Sequence, residues 1–247
     1  MIVVSRKLPN LSSVRASRIR LNSTLIDLSP DLTLVDSRHS PVDWSPEDAV
    51  VYKNFVSPSE GDVLVKDLMS RMKRRRYERG HWDSVISQYK ETELSDALFT
   101  EPEIPNIFHR VRRQLEANHL DYKPVQWLPC HAIDLKKDGE LNAHVDSIKF
   151  SGDLVAGLSL ISSSIMRLIP DDGSDKEDQA KPNSNESGWI DLYLPPLSLY
   201  VLTGDGRFRY SHQLLPDNST FSMKDGETIQ VPREHRISVI FRDTKPK

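Results

Sequence analysis

Three places in the chain set a histidine two residues before an aspartate: His81-Trp82-Asp83, His119-Leu120-Asp121 and His144-Val145-Asp146. A His-x-Asp pair joined by a distant second histidine is the donor set of a 2-His-1-carboxylate facial triad. Such a triad suits non-haem Fe(II), because it leaves one face of the ion open. The bare pattern decides little. With 8 histidines and 36 acidic residues in 247, about one such pair arises by chance. Geometry separates the three. In a strand, residues i and i+2 point to the same side, whereas in a helix they point to nearly opposite sides. His119 ends a predicted helix, and His81 follows the basic end of another. His144 follows a predicted turn at Gly139 and precedes a long β-rich region, so His144 and Asp146 are the pair expected to share a metal. The third ligand has to come from later in the chain. His212 starts the short run Ser211–Leu215, whereas His235 stands beside Arg233 and Arg236, a poor place for a cation ligand. His212 is therefore the choice. A single histidine is more ordinarily a hydrogen-bonded residue at the core edge, and it is the next motif that favours the metal.

The last predicted strand reads Arg236-Ile-Ser-Val-Ile-Phe-Arg242. Its alternation puts Arg236, Ser238, Ile240 and Arg242 on one face and Ile237, Val239 and Phe241 on the other. Arginines facing a barrel interior are costly unless paired, and a dicarboxylate supplies the partner through the bidentate guanidinium fork. The two arginines lie roughly 20 Å apart along the strand, so they cannot grip one carboxylate together. One at each end of an elongated diacid is the natural arrangement; two surface arginines on an exposed strand face is the plain alternative.

The elements that must position these residues divide the chain. Residues 27–50 are polar, with Pro30, Pro41 and Pro46, and read as an extended lead-in. Residues 51–123 read as a helical support region. Ser59-x-x-Asp62 is a possible capping box for a helix carrying Leu64, Leu68 and Met72. A second helix over about 106–118 follows Pro105 and carries Ile107, Val111 and Leu115. From 124 to 247 short β-rich runs follow one another: 126–134, 157–162, 165–169, 189–194, 199–202, 211–215, 228–231 and 235–242. Many short strands at such spacing indicate a sandwich, barrel or jelly roll. The expectation is an α+β protein, helices first and the β-domain after. Residues 171–188 are rich in Asp, Ser, Asn and Lys and read as a disordered loop between two strands.

Hydrophobic residues make up 37% of the chain and charged residues 28%, as in an ordinary globular protein. A formal net charge of −3 argues against a general polyanion binder. Cys130 is the only cysteine, which excludes an internal disulfide and a cysteine-based zinc site. No apolar run is long enough to span a bilayer as a helix. Residues 1–26 carry Arg6, Lys7, Arg15, Arg18 and Arg20, frequent serine, and no acid. That is the composition of an organelle transit peptide, with Leu11, Val14 and Leu21 on one side of a helix begun after Pro9. A basic run, Lys73 to Arg76 with Arg71 and Arg79, reads first as a solvated helix end and second as a phosphate-contact patch.

His144-x-Asp146, His212 and Arg236-x-Ser238-x-x-x-Arg242 together resemble the signature of the AlkB-like Fe(II)- and 2-oxoglutarate-dependent oxygenases. The stretches Ala143–Phe150, Leu158–Leu160, Ser198–Tyr200, Arg74–Glu78 and His235–Ile240 resemble the mitochondrial branch of that family. The resemblance covers about 50–243. It implies a double-stranded β-helix (jelly roll) core with N-terminal supporting helices, and Fe(II) at His144, Asp146 and His212. It implies 2-oxoglutarate held at its distal carboxylate by Arg236, Ser238 and Tyr200, with Arg242 toward the keto-acid end and Asp146. With O2, such a site hydroxylates a C–H bond. The implied setting is the mitochondrial matrix, with protein or mitochondrial tRNA as substrate and a role in lipid metabolism and regulated necrosis. The chain departs from nucleic-acid-repairing relatives in one respect. Their Asn-x-Tyr, eleven residues before His-x-Asp, is here Ile133-x-Leu135, and no aromatic lid for a flipped base is evident. Rival expectations are a tRNA N-demethylase with the same iron site and a non-catalytic protein-binding module on the same fold. The sequence does not set an oligomeric state.

Overall fold

The computed structural model describes residues 18–21, 24–27, 29–41, 43–80, 84–95, 99, 101–121, 124–171 and 188–244. The strands form two main antiparallel sheets. The larger has the order β4 (Ala49–Tyr52), β10 (Ser198–Leu202), β7 (Val155–Ser159), β14 (Arg236–Arg242), β6 (Cys130–Leu141), β5 (Ile86–Leu94). The smaller runs β11 (Tyr210–Leu214), β8 (Ser164–Pro170), β9 (Ile190–Leu194), β3 (Val35–Asp36). The chain passes between them repeatedly, which makes the double-stranded β-helix. Two hairpins stand apart: β1 (Arg18–Leu21) with β2 (Thr24–Asp27), and β12 (Ser219–Ser222) with β13 (Thr228–Val231). Among the described residues no helix is long and apolar enough to cross a membrane.

Alternation along β14 sorts its side chains between two cores. Ile237, Val239 and Phe241 pack outward with Leu64, Leu68 and Met72 of α1 (Pro58–Met72) and Ile107, Val111 and Leu115 of α2 (Glu103–Asn118). Between the sheets lies a second core, with Val51, Tyr89, Leu135, Met166, Leu168, Leu192 and Tyr200. The helices therefore brace the back of the larger sheet, and the face bearing Arg236 and Ser238 turns inward.

Several expectations need correction. The cap of α1 is Ser57, not Ser59. Its hydroxyl accepts from Glu60 N–H at 3.2 Å, and Glu60 accepts from Ser57 N–H at 2.8 Å. Pro58 fills the first helical position, where no N–H is needed. Glu60 also pairs with Arg110 at 2.7 Å, tying α1 to α2. The second helix starts at Glu103, with Pro105 inside the first turn, where the missing N–H is no loss. Gly139 is not a turn but lies inside β6. A Cβ there would stand 2.9 Å from Ser87 O and 3.0 Å from Gln88 O, at the irregularity where β5 shifts register. The helix-then-strand segregation also fails, because β4 and β5 come from the first half of the chain and form both edges of the larger sheet. Within residues 1–26, Arg18–Leu21 is strand rather than helix, in keeping with its period-two alternation. Leu11 and Val14 lie outside the described residues, as do His81, Trp82 and Asp83 and, apart from Asp171 and Gly188, the loop at 171–188.

His119, which closes α2, is partly buried against Tyr52, whose hydroxyl lies 2.7 Å from Nε2. Burial pushes the imidazole down to about 4 from 6.5 and the Tyr52 phenol up to about 12, so the pair is neutral at neutral pH. The folded imidazole resists a proton that the unfolded chain accepts, so this contribution to stability is complete above pH 6.5, falls between pH 6.5 and 4, and is level below. The total is about 3 kcal/mol. His119→Gln, which keeps an acceptor for Tyr52 but does not titrate, is expected to flatten the pH dependence of urea unfolding across that window.

Candidate active site

His144 and His212 face each other across a single antiparallel bridge outside any longer ladder. His144 N–H donates to His212 O at 3.2 Å, and His212 N–H donates to His144 O at 2.8 Å. His212 itself is on β11, while β6 has ended at Leu141 and Asp146 follows in irregular backbone. The expected strand at His-x-Asp is thus one bridged residue, yet the two side chains still converge. The ligand atoms of His144, Asp146 and His212 all lie within 4.8 Å of one another, and no other such group of three occurs among the described residues.

The protonation pattern follows from the neighbours. His144 Nδ1 is 2.8 Å from Asn142 O. A carbonyl only accepts, so Nδ1 carries a hydrogen and Nε2 is the nitrogen left facing the site. That nitrogen lies 3.5 Å from Asp146 Oδ1, close enough for one metal ion to bind both in place of a shared proton. Burial, with help from His144, pushes the His212 imidazole down to about 3, so it is neutral and able to ligate. For Asp146, burial alone would raise the carboxyl. The hydrogen bond with His144 and the charges of Arg242 and the histidines outweigh it and hold the group well below the usual carboxylate range. Arg242 Nε stands 2.9 Å from Asp146 Oδ2.

Deeper between the sheets, Arg236 is 3% exposed. It donates through Nη1 to Ser238 Oγ at 2.9 Å, and its Nε has no partner. No carboxylate among the described residues pairs with it, and burial lowers its affinity for its proton. Tyr200 is buried beside it, with burial pushing its phenol up to about 12. Its ring crosses Gly157 so closely that a Cβ there would stand 2.2 Å from Cε1 and 2.6 Å from the hydroxyl. Ser159 is fully buried and its hydroxyl has no partner. It lies directly opposite Ser238 in the β7–β14 ladder and opposite Ser198 in the β7–β10 ladder. A buried cation with unfilled donors, a neutral phenol and two hydroxyls are a fitting cradle for one end of a diacid.

No protein-family model matches the chain. Two curated relatives are named alpha-ketoglutarate-dependent dioxygenase alkB homolog 7, mitochondrial. The one from Mus musculus is 39% identical over 201 residues, 79% of this chain and 78% of its own length. The one from Bos taurus is 39% identical over 197 residues, 78% of this chain and 77% of its own. The chain belongs to the AlkB homologue 7 family. It is a 2-oxoglutarate-dependent dioxygenase. An uncharacterised Acanthamoeba polyphaga mimivirus protein is 29% identical over 200 residues, 78% of this chain and 83% of its own.

Solved structures agree on the fold. A Pseudomonas putida prolyl-4-hydroxylase superposes with a TM-score of 0.52 at 11% identity, covering 81% of this chain and 94% of that one. The structure of OsALKBH1 does so with a TM-score of 0.50 at 14% identity, covering 82% and 99%. In this AlkB homologue 7 family member the wall on the β6 side of Arg236 is apolar. Leu135 lies opposite Arg236 and Ile133 opposite Ser238 in the β6–β14 ladder.

The remaining histidines lie elsewhere. His235 pairs with Asp134 at 2.6 Å, and His131 pairs with Glu91. Cys130 is buried, and Tyr89 is core. Two features escaped the sequence. Ser159 sits in a serine-rich run with nothing to single it out. Arg207, which donates to Asp146 O at 2.9 Å, lies in a Gly-Asp-Gly-Arg stretch that reads as a turn. Gly157→Ala is expected to displace the Tyr200 ring and to lower stability by about 1–3 kcal/mol in urea unfolding. Paired with Tyr200→Ala the same substitution should cost clearly less, and simple additivity would show that the two sites do not touch.

Proposed function

We propose that this dioxygenase binds Fe(II) at His144, Asp146 and His212, and holds 2-oxoglutarate with Arg236, Ser238 and Tyr200 at the distal carboxylate. We assign Ser159 to the same carboxylate. The observation that carries this reading is Arg236: a buried cation with open donors and no acid of its own. Fe(II) held by these residues would, with 2-oxoglutarate and O2, supply the oxidising chemistry for hydroxylating a substrate C–H bond, with succinate and CO2 as the other products. The chain's own residues prepare the site. Arg236 neutralises the incoming carboxylate. The Tyr200 phenol, neutral well beyond physiological pH, presents its O–H to the same group. Arg242 keeps Asp146 ionised and orients it, and would stand toward the keto-acid end. The two sheets exclude water from the cosubstrate.

The substrate we favour is a protein of the mitochondrial matrix, with a role in lipid metabolism and regulated necrosis as in the resemblance, and residues 1–26 acting as the transit peptide. The turn after Asp146 supports a protein surface: Ile148 and Phe150 are 53% and 68% exposed, an apolar rim broken by Lys149, which lies over the Phe150 ring at 5.3 Å. A mitochondrial tRNA is the second reading. It is favoured by Arg74, Arg75 and Arg76, which stand exposed after α1 near Lys90 and Lys136, both over the Tyr77 ring at 4.3 and 4.6 Å.

The protein purified without oxygen and given Fe(II), 2-oxoglutarate and air is expected to form succinate, followed by mass spectrometry, and His144→Ala to form none. Arg236→Ala should weaken 2-oxoglutarate binding by at least about 2 kcal/mol, roughly thirtyfold in Kd. A wild type that binds neither metal nor 2-oxoglutarate would remove the assignment and leave a non-catalytic binding module. RNA binding that falls steeply with salt and is lost on neutralising Arg74 to Arg76 would move the substrate to tRNA.

A further inference from the structure

Asp146 belongs to no helix or strand, and the turn that follows it has little apolar anchorage, since Ile148 and Phe150 face outward. What grips this segment is Arg207. Its side chain is buried, 2% exposed. It donates through Nη1 to Asp146 O at 2.9 Å, and through Nη2 to Ser147 O at 3.3 Å and Ser151 Oγ at 2.7 Å. Ser151 in turn donates its hydroxyl to Ser147 O at 2.8 Å and its N–H to the same carbonyl at 3.2 Å. Residues 146–151 thus form a closed turn clasped from inside by one guanidinium.

The other end of the clasp is fixed as well. Arg207 lies on α3 (Gly204–Phe208), the link between β10, which carries Tyr200, and β11, which carries His212. The main-chain N–H of Thr203 donates to Asp48 O at 2.9 Å, and that of Asp205 to Asp48 Oδ2 at 3.1 Å. Gly204 and Gly206 press so closely on Asp48 that a Cβ would stand 2.2 and 2.4 Å from its atoms.

We propose that Arg207 is a positioning residue for the metal-binding carboxylate: it locks the main chain of Asp146 to the β10–β11 link, so that Asp146 is held in register with His212 before the metal arrives. No ion pair to a carboxylate among the described residues accounts for this buried guanidinium, and removing it would leave the Asp146 and Ser147 carbonyls without that donor. The donors of Arg207 go instead to the ligand's own carbonyl and to the turn beyond it. Groups that orient metal ligands in this way typically account for about tenfold to a hundredfold in metal affinity. The proposal rests on the metal reading above.

The test uses Mn(II) as probe in titrations of wild type, Arg207→Met, Arg207→Lys and Ser151→Ala, with amide hydrogen exchange on each protein before metal is added. Arg207→Met should lose about tenfold to a hundredfold in Mn(II) affinity. Exchange should accelerate at 146–151 while α1 and α2 keep wild-type protection. Arg207→Lys should recover part of both effects, and Ser151→Ala should show a smaller loss of the same kind. Wild-type affinity and unchanged exchange in a folded Arg207→Met would overturn the proposal alone. If that variant does not fold, unchanged exchange and affinity in Ser151→Ala overturn it instead. A wild type that fails to bind Mn(II) would remove the metal reading and this inference with it.

Discussion

Arg236 carries a full charge into the space between two sheets, where the one group among the described residues that accepts from it is a serine hydroxyl. Such a charge is costly in a low-dielectric interior, and the surrounding structure is arranged to support it. β14 runs between β7 and β6, so the strand bearing it is paired on both sides. The outward face of the same strand adds Ile237, Val239 and Phe241 to the helix-backed core. That apolar packing holds the strand, and the inward face is left free for polar duty. Gly157 has no side chain, and so Tyr200 can lie across it toward the guanidinium.

The metal-competent cluster is assembled differently. Its three side chains come from a single bridged residue beyond β6, the irregular segment after it and a strand of the opposite sheet. A two-bond bridge joins His144 to His212, Arg242 reaches Asp146 from the larger sheet, and Arg207 reaches it from α3. Precision at this site therefore depends on cross-links between segments more than on any one regular element.

The parts of this arrangement legible in the sequence were those whose signal is periodic or compositional. Arg236-x-Ser238 revealed its inward face because β14 alternates cleanly. The stripes on α1 and α2 were legible for the same reason at helical spacing. The His144–Asp146 spacing fits a strand, and although the backbone is bridged only at His144, the ligand atoms of both residues lie within 4.8 Å of each other and of His212. β5 escaped notice because its buried residues, Ile86, Tyr89 and Leu94, are three and five apart. The irregularity between Ser87 and Tyr89 breaks the alternation that would mark a strand. Ser57 was passed over because Ser59-x-x-Asp62 offers the same pattern two residues later, and only the helix start at Pro58 separates them. Arg207 was out of reach in principle, since its acceptors are mostly main-chain carbonyls, and every residue has one.

The apolar wall formed by Ile133 and Leu135 has a pharmacological side. In the proposed cosubstrate pocket the polar groups stand on the β7 and β10 side and on β14 itself, while β6 offers hydrocarbon. An analogue of 2-oxoglutarate bearing an amide or hydroxyl toward β6 would leave that group desolvated and unpaired here. A methyl at the same position would pack. Where the two positions are Asn and Tyr the preference reverses, because a methyl would then strand the protein's own donors. A competitive inhibitor can thus be made selective on the side where this chain has the fewest polar atoms.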